Sequence, residues 1–126
     1  MKSCAIVLGI TGMYEKKIKK SWNVLNNLGI KYVSTNHVKP HIVLIAGKTE
    51  SIKEIIKKIK KMKISKINIS SPGLGIFANK EPNLYIRWQH SKSLLKLKKE
   101  IDKKIKPNFI IFNENTKLES WIPKTT

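Results

Sequence analysis

From Cys4 to Ile10 the chain reads Cys-Ala-Ile-Val-Leu-Gly-Ile without a charge. An uncharged run of this length suits a strand covered on both faces. Thr11 then stands where a helix cap belongs, and Tyr14, Ile18, Trp22, Leu25 and Leu28 recur at steps of three and four. That period predicts a helix with one apolar stripe, and Gly29 falls at its C′ position. Ile30 to Asn36 reads as strand or extended loop. Pro40 precedes a second apolar strand, His41 to Ala46, with Gly47 as its expected end.

Ser51-x-x-Glu54 has the form of a capping box, followed by Ile52, Ile55, Ile56, Ile59 and Met62 on one helical face. Six lysines between Lys53 and Lys63 fill the remainder and read as a solvated surface. Ile67 and Ile69 alternate with polar residues as a strand would, Ser71-Pro72-Gly73 breaks that pattern, and Leu74 to Ala78 resumes pairing. After a turn at Asn79 to Asn83, Leu84, Ile86 and Trp88 alternate with Tyr85, Arg87 and Gln89, the period of a two-faced strand. Ser91 opens a third helix striped by Leu94, Leu95, Leu97, Ile101 and Ile105 up to Pro107. Phe109 to Phe112 predicts a further strand, and Asn113 to Lys117 a polar turn. Interleaved strands and helices with hairpin-like turns point to an α+β domain around a mainly antiparallel sheet.

At 126 residues the chain is expected to form one domain, 1–126, with a single core. The formal net charge of +18 points to phosphate-rich partners. The same bias has a second source, because 25 of the 26 basic residues are lysine, beside 20 isoleucines and 10 asparagines, and all three types share A/T-rich codons. Bidentate base readout favours arginine, and Arg87 is the sole one, which argues against sequence-specific DNA recognition. The one cysteine, Cys4, excludes an internal disulfide and a cysteine-based metal cluster; its place in an apolar strand predicts core packing. The N-terminal apolar run is too short for a signal segment and no stretch approaches a membrane span, so a cytoplasmic location and no membrane association are expected.

The usual chemical motifs are absent. Gly73-x-Gly75 lacks the third glycine and following helix of a phosphate loop and reads as a turn within a sheet. The eight acidic residues form no pattern for a hard cation. His37 and His90 fit loop and helix-cap roles. His41 differs: it opens an apolar strand directly after a proline, where it would face a cleft if Ile42 faces the core.

The chain also reads as two similar halves, about 1–63 and about 64–126, each ending on a proline and a strand that opens with a polar side chain. Pro40-His41-Ile42-Val43-Leu44 closes the first and Pro123-Lys124-Thr125-Thr126 the second. The intervals from Ile6 to His41 and from Ile86 to Lys124 are comparable. Related by a pseudo-twofold, two such strands would aim His41 and Lys124 into one cleft flanked by Arg87 and Gln89.

These two strings and the order of elements resemble the 2H phosphoesterase superfamily, most closely its 2′-5′ RNA ligase-like, RNA cyclic phosphodiesterase branch. The resemblance covers essentially the whole chain. It implies a bilobed fold in which each half supplies a His-x-Thr/Ser motif, with the last strands missing here. It casts His41 and Lys124 as the catalytic pair, with Thr126 and Arg87 holding phosphate. Its implied substrates are RNA 2′,3′-cyclic phosphate ends or small nucleotide phosphodiesters, without cofactor or metal. Two departures bear on activity: Val43 stands where the first hydroxyl belongs, and Lys124 where the second histidine belongs. A catalytically silent, RNA- or nucleotide-binding member of the fold is the alternative, and an unrelated basic α+β interaction domain a second. The sequence points to no obligate protein partner.

Overall fold

Strand β1 (Lys2–Gly9) pairs antiparallel with β2 (His41–Thr49), which pairs antiparallel with β5 (Phe109–Phe112). A second antiparallel sheet holds β3 (Gly73–Phe77), β4 (Asn83–Arg87) and β6 (Lys124–Thr125), in the order β3-β4-β6. Three helices, α1 (Met13–Asn27), α2 (Ile52–Lys61) and α3 (Lys92–Lys104), complete an α+β architecture. These elements come from a computed structural model that describes residues 1–29, 39–71, 73–77 and 83–125. The expected segment Ile30 to Asn36, His37, the turn after Ala78 and Thr126 lie outside the described residues. No helix among them is long and apolar enough to cross a membrane.

The three helices bury the centres of the stripes their periodicity predicts, while Tyr14 and Leu28 of the first stripe and Ile56 of the second are exposed. Ile18 and Trp22 of α1, Ile55 of α2, and Leu94, Leu97 and Ile101 of α3 close over Ile42, Leu44 and Ile45 of β2. α3 starts as expected: the Ser91 side chain accepts from the Leu94 amide at 3.1 Å. The other two starts differ. Gly12, not Thr11, is the N-cap of α1, and no side chain caps it. At α2 the capping box does not form, because Ser51 makes no side-chain cap bond; its own amide donates to Thr49 Oγ1 at 2.9 Å. Gly29 has φ 89°, the left-handed C′ conformation that glycine reaches without a Cβ clash.

Several strand expectations need correction, each for a tertiary reason. Among the described residues β1 is a sheet edge, and it alternates exposed with half-buried residues, so it is not covered on both faces. Cys4 is half-buried against the core. Gly47 does not end β2. It pairs with Cys4 on one side and Phe112 on the other, and a Cβ there would run into the Ile111 carbonyl oxygen and the Phe112 Cα. Leu44 is an extra residue in β2, since Ile6 pairs with Ile45 and Val7 with Val43. This bulge turns both Leu44 and Ile45 inward, which is how one strand uses a continuous apolar run.

Ile67 and Ile69 pack against the core without forming a strand; their segment instead runs beside Gln89, whose amide donates to the Ser70 carbonyl at 2.8 Å. Gly73 and Gly75 lie in strand β3, not in a turn. A side chain at Gly75 would occupy the place of the Tyr85 ring, and the missing Cβ lets Tyr85 be buried on what reads as the polar face of β4. Lys98, on a helix otherwise edged with solvated lysines, is fully buried. Its ammonium donates to Asp102 Oδ1 at 2.8 Å and to the Thr116 carbonyl, and lies 5.7 Å from the centre of the Trp121 ring. Burial lowers the Lys98 pKa against the upward pull of Asp102. No buried side-chain polar atom among the described residues lacks a partner.

Candidate functional site

The two proline-led strands join their sheets in the same way. At the first, the Ile10 amide donates to the Pro40 carbonyl at 2.8 Å, Gly9 faces His41 and Leu8 faces Ile42. At the second, the Trp88 amide donates to the Pro123 carbonyl at 2.9 Å, Arg87 faces Lys124 and Ile86 faces Thr125. Position by position, Ile10, Pro40 and His41 correspond to Trp88, Pro123 and Lys124. A helix follows Ile10 and Trp88 within a few residues in each case. Proline suits such a strand start because the first amide has no ladder partner to lose. Both prolines are fully buried.

Thr125 ties the two strand starts together. Its hydroxyl donates to the His41 carbonyl at 2.9 Å and accepts from Trp88 Nε1 at 2.9 Å. Lys124 is the next residue, so standard covalent dimensions hold the His41 and Lys124 Cα atoms within about 12 Å. A second clasp lies two residues along β2, where Trp121 Nε1 donates to the Val43 carbonyl at 2.9 Å. Ile42 and Thr125 are buried, and strand alternation turns their neighbours His41 and Lys124 away from the core. Arg87, directly across from Lys124, shares its face of the sheet and is exposed.

The His41 ring has a defined orientation. Nδ1 lies 2.8 Å from the Lys39 carbonyl oxygen, which can only accept, so in the neutral ring Nδ1 carries the hydrogen and Nε2 the lone pair. The Lys39 side chain passes over Gly9, the residue paired with His41; its Cε lies 3.4 Å from where a Gly9 Cβ would be. Glycine there leaves the cation room beside the imidazole. Lys124 is half-buried, and desolvation lowers its pKa, which makes the ammonium a better proton donor than an exposed lysine. His41, Lys39, Lys124 and Arg87 thus bring cationic and proton-exchanging groups to the meeting of β2, β4 and β6.

Gln89 is exposed, and its side-chain oxygen accepts from Ser70 Oγ at 2.8 Å. Val43 places an alkyl group on the strand face that carries His41. His90 does not cap α3; its Nε2 lies 3.3 Å from the Trp121 carbonyl. Thr126, expected to hold phosphate, lies outside the described residues. Sequence reading missed Lys39 and Thr125. Thr125 sits inside the motif string and its burial was the hidden feature; Lys39 carries no signal beyond its place before Pro40.

Among the described residues, no group of three or more His, Cys, Asp or Glu side chains is placed to hold a metal ion. Compared with protein-family models, curated proteins and solved structures, the chain matches none.

Proposed function

We propose that this chain is a 2H phosphoesterase-like domain, bilobed with pseudo-symmetric halves, that acts on RNA 2′,3′-cyclic phosphate ends or small nucleotide phosphodiesters. The observation that carries the reading is the shared register of the two proline-led strands, with Thr125 bonding one to the other beside His41 and Lys124. Opening a cyclic phosphate needs a base to take a proton from water and an acid to return one to the departing ribose oxygen. His41 Nε2 holds the lone pair for the first task. The partly desolvated Lys124 ammonium serves the second and, with Arg87, offsets the phosphate charge, while the Thr126 hydroxyl donates to a phosphate oxygen. Water oxygen then bonds to phosphorus, the P–O bond to one ribose oxygen breaks, and a phosphomonoester and a ribose hydroxyl result.

Val43 and Lys124 favour a second reading in which the same site binds such ends without turnover. Val43 supplies no hydroxyl to the phosphate, and a lysine ammonium gives up its proton far less readily at neutral pH than the imidazolium it replaces. One experiment addresses both readings. Hydrolysis of a 2′,3′-cyclic nucleotide is measured for the wild type and His41→Ala, together with competition between cyclic-phosphate and 3′-hydroxyl RNA ends of equal length. Loss of an acid/base group predicts a fall in rate of about 10²- to 10⁴-fold in His41→Ala. End preference without turnover selects the binding reading. Equal affinity for the two ends, with no hydrolysis above the His41→Ala level, overturns both.

A further inference from the structure

At the far end of β2 from His41, the C-terminal ends of α2 and α3 meet around a pocket of about 420 Å³. It is lined by Lys58, Lys61, Met62, Lys103, Lys104 and Pro107, four cations and no carboxylate. None of the four lysines forms an ion pair with a described carboxylate. Lys58 is held in place: its Nζ donates to Asn108 Oδ1 at 2.7 Å and to the Lys104 carbonyl at 3.2 Å, which leaves one of three ammonium protons uncommitted. Asn108 is in turn fixed to β2, because its carbonyl accepts from Thr49 Oγ1 at 2.6 Å.

A solvated helix face would spread its charges. Here two pairs of lysines, far apart in sequence, converge on one concavity by packing of two helix ends. Negative helix C-termini offset part of their mutual repulsion. An anion would relieve the rest, and a volume of this size admits more than one phosphate group.

We propose that this pocket binds phosphates of a single-stranded RNA whose terminus occupies the His41–Lys124 junction, which rests on the functional reading above. β2 spans the two places. Its eight steps from His41 to Thr49 at about 3.3 Å each give roughly 26 Å, which a stacked strand, taken at the duplex spacing of about 3.4 Å per nucleotide, covers in about eight nucleotides. Short ends therefore reach only the junction, and longer strands reach both. The buried tryptophans Trp22, Trp88 and Trp121 offer no stacking platform, so the added contact is ionic and indifferent to base sequence.

The test measures affinity for cyclic-phosphate RNAs of two to twelve nucleotides, in the full chain and in Lys61→Gln/Lys103→Gln. Both side chains are exposed, so the fold is retained, and Lys16→Gln/Lys20→Gln on α1 is the charge-matched control. Affinity should rise with length until about eight nucleotides and then level off. In the pocket variant that rise should vanish, the salt slope should fall by about 1.4, and the affinity lost between 50 and 200 mM salt should be about sevenfold smaller, at about 0.7 per phosphate contact. Dinucleotide binding should be unchanged. Lys61→Arg/Lys103→Arg should retain the length effect, and tripolyphosphate should compete more strongly with twelve-nucleotide RNA than with the dinucleotide, a difference lost in the pocket variant. If the α1 control loses as much as the pocket variant, or if affinity does not depend on length, the pocket inference fails while His41-dependent end preference leaves the functional reading standing. If the length effect depends on the pocket but cyclic and hydroxyl ends bind equally, the functional reading fails, and the RNA-end arrangement fails with it. Competition by tripolyphosphate without any length effect assigns the pocket to free polyphosphate and overturns its role in RNA.

Discussion

Replacing Thr125 by valine tests the joint on which the site depends. Valine has nearly the shape of threonine, so packing is kept while one oxygen atom is removed. That oxygen serves two partners: Trp88 Nε1 and the His41 carbonyl, both at 2.9 Å. Trp88 is 1% exposed, so its indole N–H has no access to water when the acceptor is lost. An orphaned buried donor costs about 1–3 kcal/mol, and the less buried His41 carbonyl adds the net worth of one hydrogen bond, about 1 kcal/mol. The expected destabilisation is about 2–4 kcal/mol, which in a chain of this size lowers Tm by about 8–16 °C. Urea unfolding followed by tryptophan fluorescence measures it, with an unchanged m-value as the sign that the native state keeps its extent. Thr125→Ser keeps the hydroxyl and should cost only the packing of one methyl, about 1 kcal/mol. A cycle with Trp88→Phe isolates the bond, and the double variant should be less destabilised than the sum of the singles by about 1 kcal/mol or more. A cost below about 0.5 kcal/mol for Thr125→Val, or additivity with Trp88→Phe within about 0.3 kcal/mol, would refute the argument that this hydroxyl locks β6 to β2.

Gly47→Ala should destabilise by about 3 kcal/mol, at the upper end for overpacking, because the new methyl meets the backbone of β5; a urea midpoint within error of wild type would contradict the close approach. Lys124→Met tests the half-buried ammonium through pH. Desolvation holds the folded pKa below the unfolded value near 10.5, so between the two the unfolded chain binds more protons and stability rises with pH. The stability of wild type relative to Lys124→Met should therefore improve as pH climbs towards about 10.5 and stay constant at neutral pH and below; parallel pH profiles would rule the desolvation out. Lys124→His should raise hydrolysis of a 2′,3′-cyclic nucleotide by restoring a group that exchanges protons near neutrality. Adding Val43→Thr should raise it further, by up to about 10²-fold, the scale of one oriented donor; a double variant no faster than His41→Ala would defeat the assignment of both positions.

Local periodicity was enough to place the three helices, because a stripe at three- and four-residue steps has one way to be buried. Ile18, Trp22, Ile55, Leu94 and Ile101 went where that pattern sends them. Phe109 to Phe112 and the two proline-led strands were legible for a similar reason: proline and alternation restrict the backbone before any partner arrives. What the sequence could not carry was set by partners distant along the chain. Gly47 reads as a stop until β5 is laid beside it, and Gly75 reads as a turn until the Tyr85 ring covers it. Nothing local to Lys98 marks it for burial; Asp102, the Thr116 carbonyl and Trp121 enclose it. The Ser51–Glu54 capping pattern lost to Thr49, whose hydroxyl takes the Ser51 amide. At the site, the sequence marked His41 and Lys124 as strand openers after proline, but their nearness depends on one hydroxyl accepting from a tryptophan and donating to a carbonyl 84 residues away. Such contacts leave no periodic trace, because a hydrogen bond across sheets constrains two single positions and repeats nowhere.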